Sequence, residues 1–321
     1  MKFKLIEVAC LVVLVLSFQS CTSYSDAVLR NVTLRLSVSD SPLSRVTGAS
    51  VAAESSISSL QVLLFDENGA LVSYGLSSST SVLVRCSCGR RSVWVFANAP
   101  SLSGISTFAE LVSFRFPLEC NSASSLLMYG SEDMLVESNM SKTIQLSRMC
   151  AKVVLSMLTK SFSSEVIQDM DFVLEKVYMT NVVAEYTLEG APVPCLWYNK
   201  MGWNAECDGL LCDDVGVSVT SSLEGEHTFY VFPNRSTSDA RGGEWSPRCT
   251  RMVLKASLGG EPVYYVIDIP DIRANCSYVI SNVKITRPGS SDEEHKTDEC
   301  GVEFSLSVSD WSEYSTYYEN L

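Results

Sequence analysis

The sequence predicts an all-β protein, built as two transthyretin-like β-sandwich domains in series. Three observations carry this. Apolar and polar residues alternate with period two along most of the chain, as strands with one buried face require. These short segments recur at regular spacing with turn residues between them, which favours sandwiches over a parallel α/β sheet. The 321 residues, 46% hydrophobic and 19% charged, are long for one domain and sufficient for two cores.

The first segment reads as an export signal, assigned to residues 1–20. Lys2 and Lys4 form a basic start, LVVLVLSF (11–18) is a compact apolar run, and FQSC ends at Cys21. The run falls short of the roughly 20 apolar residues that a membrane helix needs. A small Ser20 before a cysteine resembles a bacterial lipoprotein signal, which places the lipid on Cys21. Phe18 and Gln19 depart from the residues usual there, so ordinary secretory cleavage is the alternative.

Beyond the signal, Val32, Leu34, Leu36 and Val38 alternate with polar residues and predict the first strand. PLSRVTGASVAAESS (42–56) breaks the pattern and reads as an exposed loop. SLQVLLFDENGALVSYG predicts a hairpin turning at Asn68-Gly69, two residues that tolerate positive φ. SVLVRCSC and RRSVWVFANAP supply two further strands, closed by Pro100. GISTFAELVSF (104–114) is the best helix candidate, with Phe108, Leu111 and Val112 on one face. TIQLSRMCAKVVLSML then reads as a strand pair or one bent strand around Arg148–Val154, and a fresh series of strands follows. The expected division is therefore 21–147 and 148–321. RPGSSDEEHKTDEC (287–300) is polar and acidic, a solvated connector that detaches the last strand, VEFSLSVSDW, from what precedes it.

Composition and motifs exclude several functions. A net charge of −13 repels nucleic acid and anionic membranes. Neither a nucleophile elbow, a phosphate loop, a zinc-protease motif nor a dinucleotide turn is present, so no enzyme activity and no cofactor are expected. The two histidines, His227 and His295, stand in unrelated contexts, and Cys86-Ser-Cys88 is a weak metal pair. Of the twelve cysteines, ten lie beyond Cys10 and Cys21; an exported chain can pair some of them, but most are expected to be buried free thiols. Asp213-Asp214 reads as solvated surface rather than a glycosidase pair, and CDGLLCDD (207–214) as an acidic turn rather than a calcium loop. Trp197, Tyr198 and Trp203 in LWYNKMGWN either stack on sugars at a glycan-binding surface or, preferably, pack inward.

LSVSD occurs twice, at 36–40 and 306–310. Val302, Phe304, Leu306 and Val308 repeat the apolar period of Val32, Leu34, Leu36 and Val38, and Trp311 follows. Two such segments are equipped to compete for one slot in a sheet. Arg45 lies in the loop after the first copy, flanked by small residues that suit protease-accessible backbone. Arg35 lies inside the strand, where a protease cannot seat the backbone.

In order along the chain, the lipoprotein-like start, VTLRLSV, ISSLQVLLFDENGALV, VWVFANAP, LLMYGSEDM, LSRMCAKVVL, FYVFPN, CSYVISNVKITRPGSSDEE and the terminal VSDW resemble the fimbrillin family of Bacteroidales, the type V pilins. The resemblance covers nearly the whole mature chain. It implies an outer-membrane lipoprotein anchored through Cys21 and cut after Arg45 by an arginine-specific protease. The strand of Val32, Leu34, Leu36 and Val38 would then leave, and the groove would accept a C-terminal strand from another subunit. The donor would be Val302, Phe304, Leu306, Val308 and Trp311. The implied partners are other fimbrial subunits and a host or bacterial surface receptor, with adhesion as the outcome. Anchor and tip subunits in the family depart from this scheme, and a surface glycan-binding lipoprotein is the alternative outside it.

Overall fold

A computed structural model describes residues 31–40, 53–193, 195–200, 209–237, 247–293 and 302–311. The chain first forms β1 (Asn31–Asp40), β2 (Leu60–Phe65), β3 (Leu71–Ser77), β4 (Ser81–Ser87), β5 (Gly89–Ala97), helix α1 (Phe108–Ser113), β6 (Phe116–Pro117), β7 (Met128–Val136) and β8 (Met140–Arg148). It continues through β9 (Ala151–Lys160), helix α2 (Glu165–Gln168), β10 (Phe172–Thr180), β11 (Val182–Val183), β12 (Glu185–Tyr186) and β13 (Trp197–Tyr198). The last strands are β14 (Cys212–Ser218), β15 (Ser222–Val231), β16 (Thr250–Leu258), β17 (Glu261–Ile269), β18 (Cys276–Ile285) and β19 (Val302–Asp310). The protein is all-β, as the alternation requires.

The first strands make one sheet in the order β3-β2-β5-β7-β8-β1-β4. Its middle is thin: β7 meets β8 only through Met128↔Arg148 and Tyr129↔Ser147. The sheet folds at that corner, and its two ends close on each other. Gly75 on β3 marks the closure, because a Cβ there would stand 2.3 Å from Val84 on β4. Only glycine permits so close an approach. The later strands make two four-stranded sheets, β14-β10-β16-β17 and β15-β9-β18-β19.

Local chemistry explains the joints. The β2–β3 turn is wider than the two-residue hairpin the sequence suggests. Asp66 accepts the amides of Asn68 and Ala70 through Oδ1, both at 2.9 Å, and Gly69 takes φ 76°. Helix α1 is shorter than residues 104–114. It starts at a capping box in which Thr107 and Glu110 satisfy each other's backbone amides. Phe108 then packs on Phe65 and Trp94, with ring centroids 5.6 and 5.3 Å apart.

The stretch around Arg148–Val154 is two strands. Buried Met149 and Cys150 separate β8 from β9, held by Met149 N–H to the Leu127 carbonyl and Asn275 N–H to the Cys150 carbonyl. One continuous apolar core runs from Val32 to Ile285 through both sets of sheets. Short β6 and β12 pair across the junction, at Tyr186↔Phe116 and Glu185↔Pro117.

Candidate functional site

The two related segments occupy opposite kinds of place. β1 is interior, running antiparallel to β4 (Leu34↔Val84, Leu36↔Val82) and parallel to β8 (Leu36↔Lys142, Val38↔Ile144). Its backbone groups are therefore engaged on both sides. Val32, Leu34 and Leu36 are buried and Val38 is half-buried. They pack into the core, which also contains Val82, Val84, Ile144 and Leu146. Three fully buried aliphatic side chains contribute about 5–9 kcal/mol of transfer free energy before ordering costs. A core without β1 would leave unpaired N–H and C=O groups along both flanking strands and an apolar trough between them.

Among the described residues β19 lies at a sheet edge and pairs only with β18, antiparallel, from Cys276↔Asp310 to Ile285↔Val302. The strand expected to stand apart is thus seated on its own chain, beside the strand that precedes it. Its apolar residues are poorly covered. Val302 and Leu306 are half-buried against the core, while Phe304 and Val308 are 40% and 42% exposed. The pairing slips between Ser281 and Lys284, and this bulge lies opposite Phe304.

Beyond β19, Trp311 is held tightly. Its indole N–H donates to Glu54 Oε2 at 3.1 Å, and its backbone N–H donates to the Asn275 carbonyl at 2.9 Å. The ring stacks on Tyr230, with centroids 5.9 Å apart and planes at 5°, and the Arg148 guanidinium lies 4.9 Å from its centroid. Glu54 Oε1 accepts from Lys152 Nζ at 2.6 Å and from the Tyr230 hydroxyl at 2.9 Å. Arg148 Nη2 also donates to the Glu54 carbonyl and to Ser55 Oγ, each at 3.2 Å. Burial, then the neighbouring Glu54 carboxylate, push the Tyr230 phenol far above its ordinary range.

Of this cluster the sequence singled out Trp311 alone. A signal for Glu54 did exist: it is the one charged residue between Arg45 and Asp66. Its partners Lys152, Tyr230 and Arg148 are brought to it only by the tertiary fold.

The other candidates carry less. Trp197 and Tyr198 are not in an open loop; they form β13, pair with β11, and are half-buried against the core. Asp213 bonds His227 Nδ1 at 3.0 Å and Asp214 bonds Lys176 at 3.0 Å, so the two acids serve separate partners. Among the described residues no group of three or more His, Cys, Asp or Glu side chains is placed to hold a metal. Cys86, Cys150, Cys195 and Cys276 are buried thiols, and burial raises the Cys150 thiol to about 12. Cys21, Arg45, Trp203 and His295 lie outside the described residues.

No family model and no curated protein matches the sequence. Solved structures do. A Bacteroides eggerthii DSM 20697 protein proposed to act in cell adhesion is similar with TM-score 0.68 and 17% identity, over 88% of this chain and 96% of that one. A fimbrilin (FimA) from Porphyromonas gingivalis W83 is similar with TM-score 0.65 and 14% identity, over 87% of this chain and 97% of that one. The tip fimbrial protein Mfa3 from Porphyromonas gingivalis, with a C-terminal truncation, is similar with TM-score 0.53 and 15% identity, over 88% and 100%. Each likeness extends over most of both chains, and the chain has the fimbrillin fold.

Proposed function

We propose that this protein is a structural, non-catalytic subunit of a cell-surface fimbria that serves adhesion and assembles by exchange of strands between subunits. Two sandwich units, 21–147 and 148–321, form the body. Export and lipidation of Cys21 bring it to the outer membrane, and an arginine-specific cut after Arg45 frees residues 21–45. β1 then departs, and β19 of another subunit enters the trough between β4 and β8.

One observation carries the reading: β1 is buried between two strands, whereas β19 repeats its apolar period from an edge with half its apolar residues exposed. Strand addition restores backbone bonds and fills alternate pockets, so an ill-covered strand gains by moving to such a trough. Donor and acceptor surfaces differ, so each subunit offers one of each and the contact propagates a filament. Fimbrial subunits among the similar structures agree with this class of partner. Trp197 and Tyr198, on which the glycan-binding alternative relies together with Trp203, are half-buried in β13, so they present less open aromatic surface than a loop would.

N-terminal sequencing of protein extracted from the cell surface tests the reading. A start at Val46 is expected for a polymerising subunit. A start at lipidated Cys21 would instead make the chain an uncut anchor, and polymers formed by uncut protein would overturn the scheme.

A further inference from the structure

The home position of β19 is secured unevenly. Along the strand, Phe304 and Val308 reach solvent and contribute little to the seat. At its end, Trp311 joins four segments: the stretch after Arg45 through Glu54, the β8–β9 junction through Arg148 and Lys152, β15 through Tyr230, and the start of β18 through Asn275. Asn275 itself adopts φ 55° and is fixed by Arg148 and Cys150, its Oδ1 accepting from Arg148 N–H at 3.4 Å. Glu54 is 4% exposed and accepts from three side chains, so its carboxylate is the point through which these segments meet. Hydrogen bonds to a buried charge are among the stronger ones in a protein.

We propose that Glu54 and Trp311 form a latch that keeps β19 seated on its own subunit and so restrains strand donation. The proposal rests on the assembly reading above and adds a regulator to it. Glu54 lies nine positions after Arg45, so a cut there would leave it close to the new N-terminus. The latch therefore sits where processing of one end of the chain meets the seat of the other. Opening it requires the contacts of Trp311 to break, its backbone bond to Asn275 included, after which β19 is held by its ladder with β18, its half-buried side chains and the Lys284–Glu303 ion pair.

The test uses the full-length protein with Trp311→Phe, which keeps a ring for Tyr230 but removes the indole N–H, and Glu54→Gln, which keeps an acceptor but removes the charge. Hydrogen–deuterium exchange of residues 302–310 is compared with that of β10 and β16 in the same molecule. A latch predicts about tenfold faster exchange confined to β19 in either variant. It also predicts faster polymer growth after treatment with an arginine-specific protease. Unchanged β19 exchange overturns the latch. Equal acceleration in β10 and β16 also overturns it, because the contact would then only stabilise the fold. Faster β19 exchange with unchanged polymer growth overturns the regulatory role. If processed wild-type protein forms no polymer, the assembly reading fails and the regulatory role with it, while β19 exchange still reports whether the contact holds the strand.

Discussion

Leu36 of β1 faces Val82 of β4 across an antiparallel ladder, both buried, with β8 closing the other side of the strand. A leucine in that position has no freedom to be replaced cheaply. Leu36→Ala should destabilise the uncut subunit by about 2–5 kcal/mol, read from chemical denaturation. A loss under about 1 kcal/mol would show that β1 is not an integral part of the core.

Phe304 and Val308 give the opposite expectation. Both are partly exposed in the subunit, so Phe304→Ser and Val308→Ser should each cost it only about 1–2 kcal/mol, less than Leu36→Ala. If these side chains fill the trough of another subunit, the same substitutions should greatly weaken polymers, measured by dissociation on heating in detergent. Polymers of wild-type durability would remove β19 as the donor.

Processing supplies a third expectation. Arg45→Ala should leave the protein uncut, lipid-anchored and monomeric, and mass measurement of the extracted chain would show residues 21–45 still attached. Normal polymers from this variant would mean that the cut lies elsewhere or is not needed.

Arg251 is fully buried, and its Nε donates to Asp268 Oδ1 at 2.8 Å across the β16–β17 ladder. Removing the acid takes a charged partner away from a buried cation. Asp268→Ala should cost about 3 kcal/mol, and replacing the pair together by apolar residues should recover most of it. A double-mutant denaturation cycle measures both.

Alkali should weaken the fold through Cys150. Burial raises its thiol from 9.0 to about 12, so at high pH the unfolded chain loses this proton while the folded chain keeps it. The stability it contributes is complete below pH 9 and is lost as pH rises towards about 12. The slope is up to about 1.4 kcal/mol per pH unit for one such group. Denaturation across this window should be less steep in pH for Cys150→Ala. Native Cys150 should also resist alkylation at pH 8, because it is both buried and protonated.

Much of this protein was legible before any fold was in hand. Period-two alternation marks β1, β4, β5 and β19, because a strand with one wet and one dry face permits no other pattern, whereas β2 is a run of residues buried on both faces. The capping residues Thr107 and Glu110 were there to read, and so was the repeat of one apolar period at both ends of the chain. Boundaries were less legible: the break at Met149–Cys150 carries no Gly or Pro and depends on partners more than a hundred residues away at Asn275.

Composition and alternation by themselves determined the all-β class and the kinship between β1 and β19. Which of the two strands lies inside and which at an edge was decided only by the tertiary structure. Two segments with the same pattern have the same intrinsic preference, so their separation depends on neighbours. β1 gains two flanking strands and a closed core, while β19 gains one flanking strand and a bulge opposite Phe304. The hold on Trp311 was likewise decided by folding alone, because Glu54, Arg148, Tyr230 and Asn275 come from four distant segments. No local pattern records their meeting.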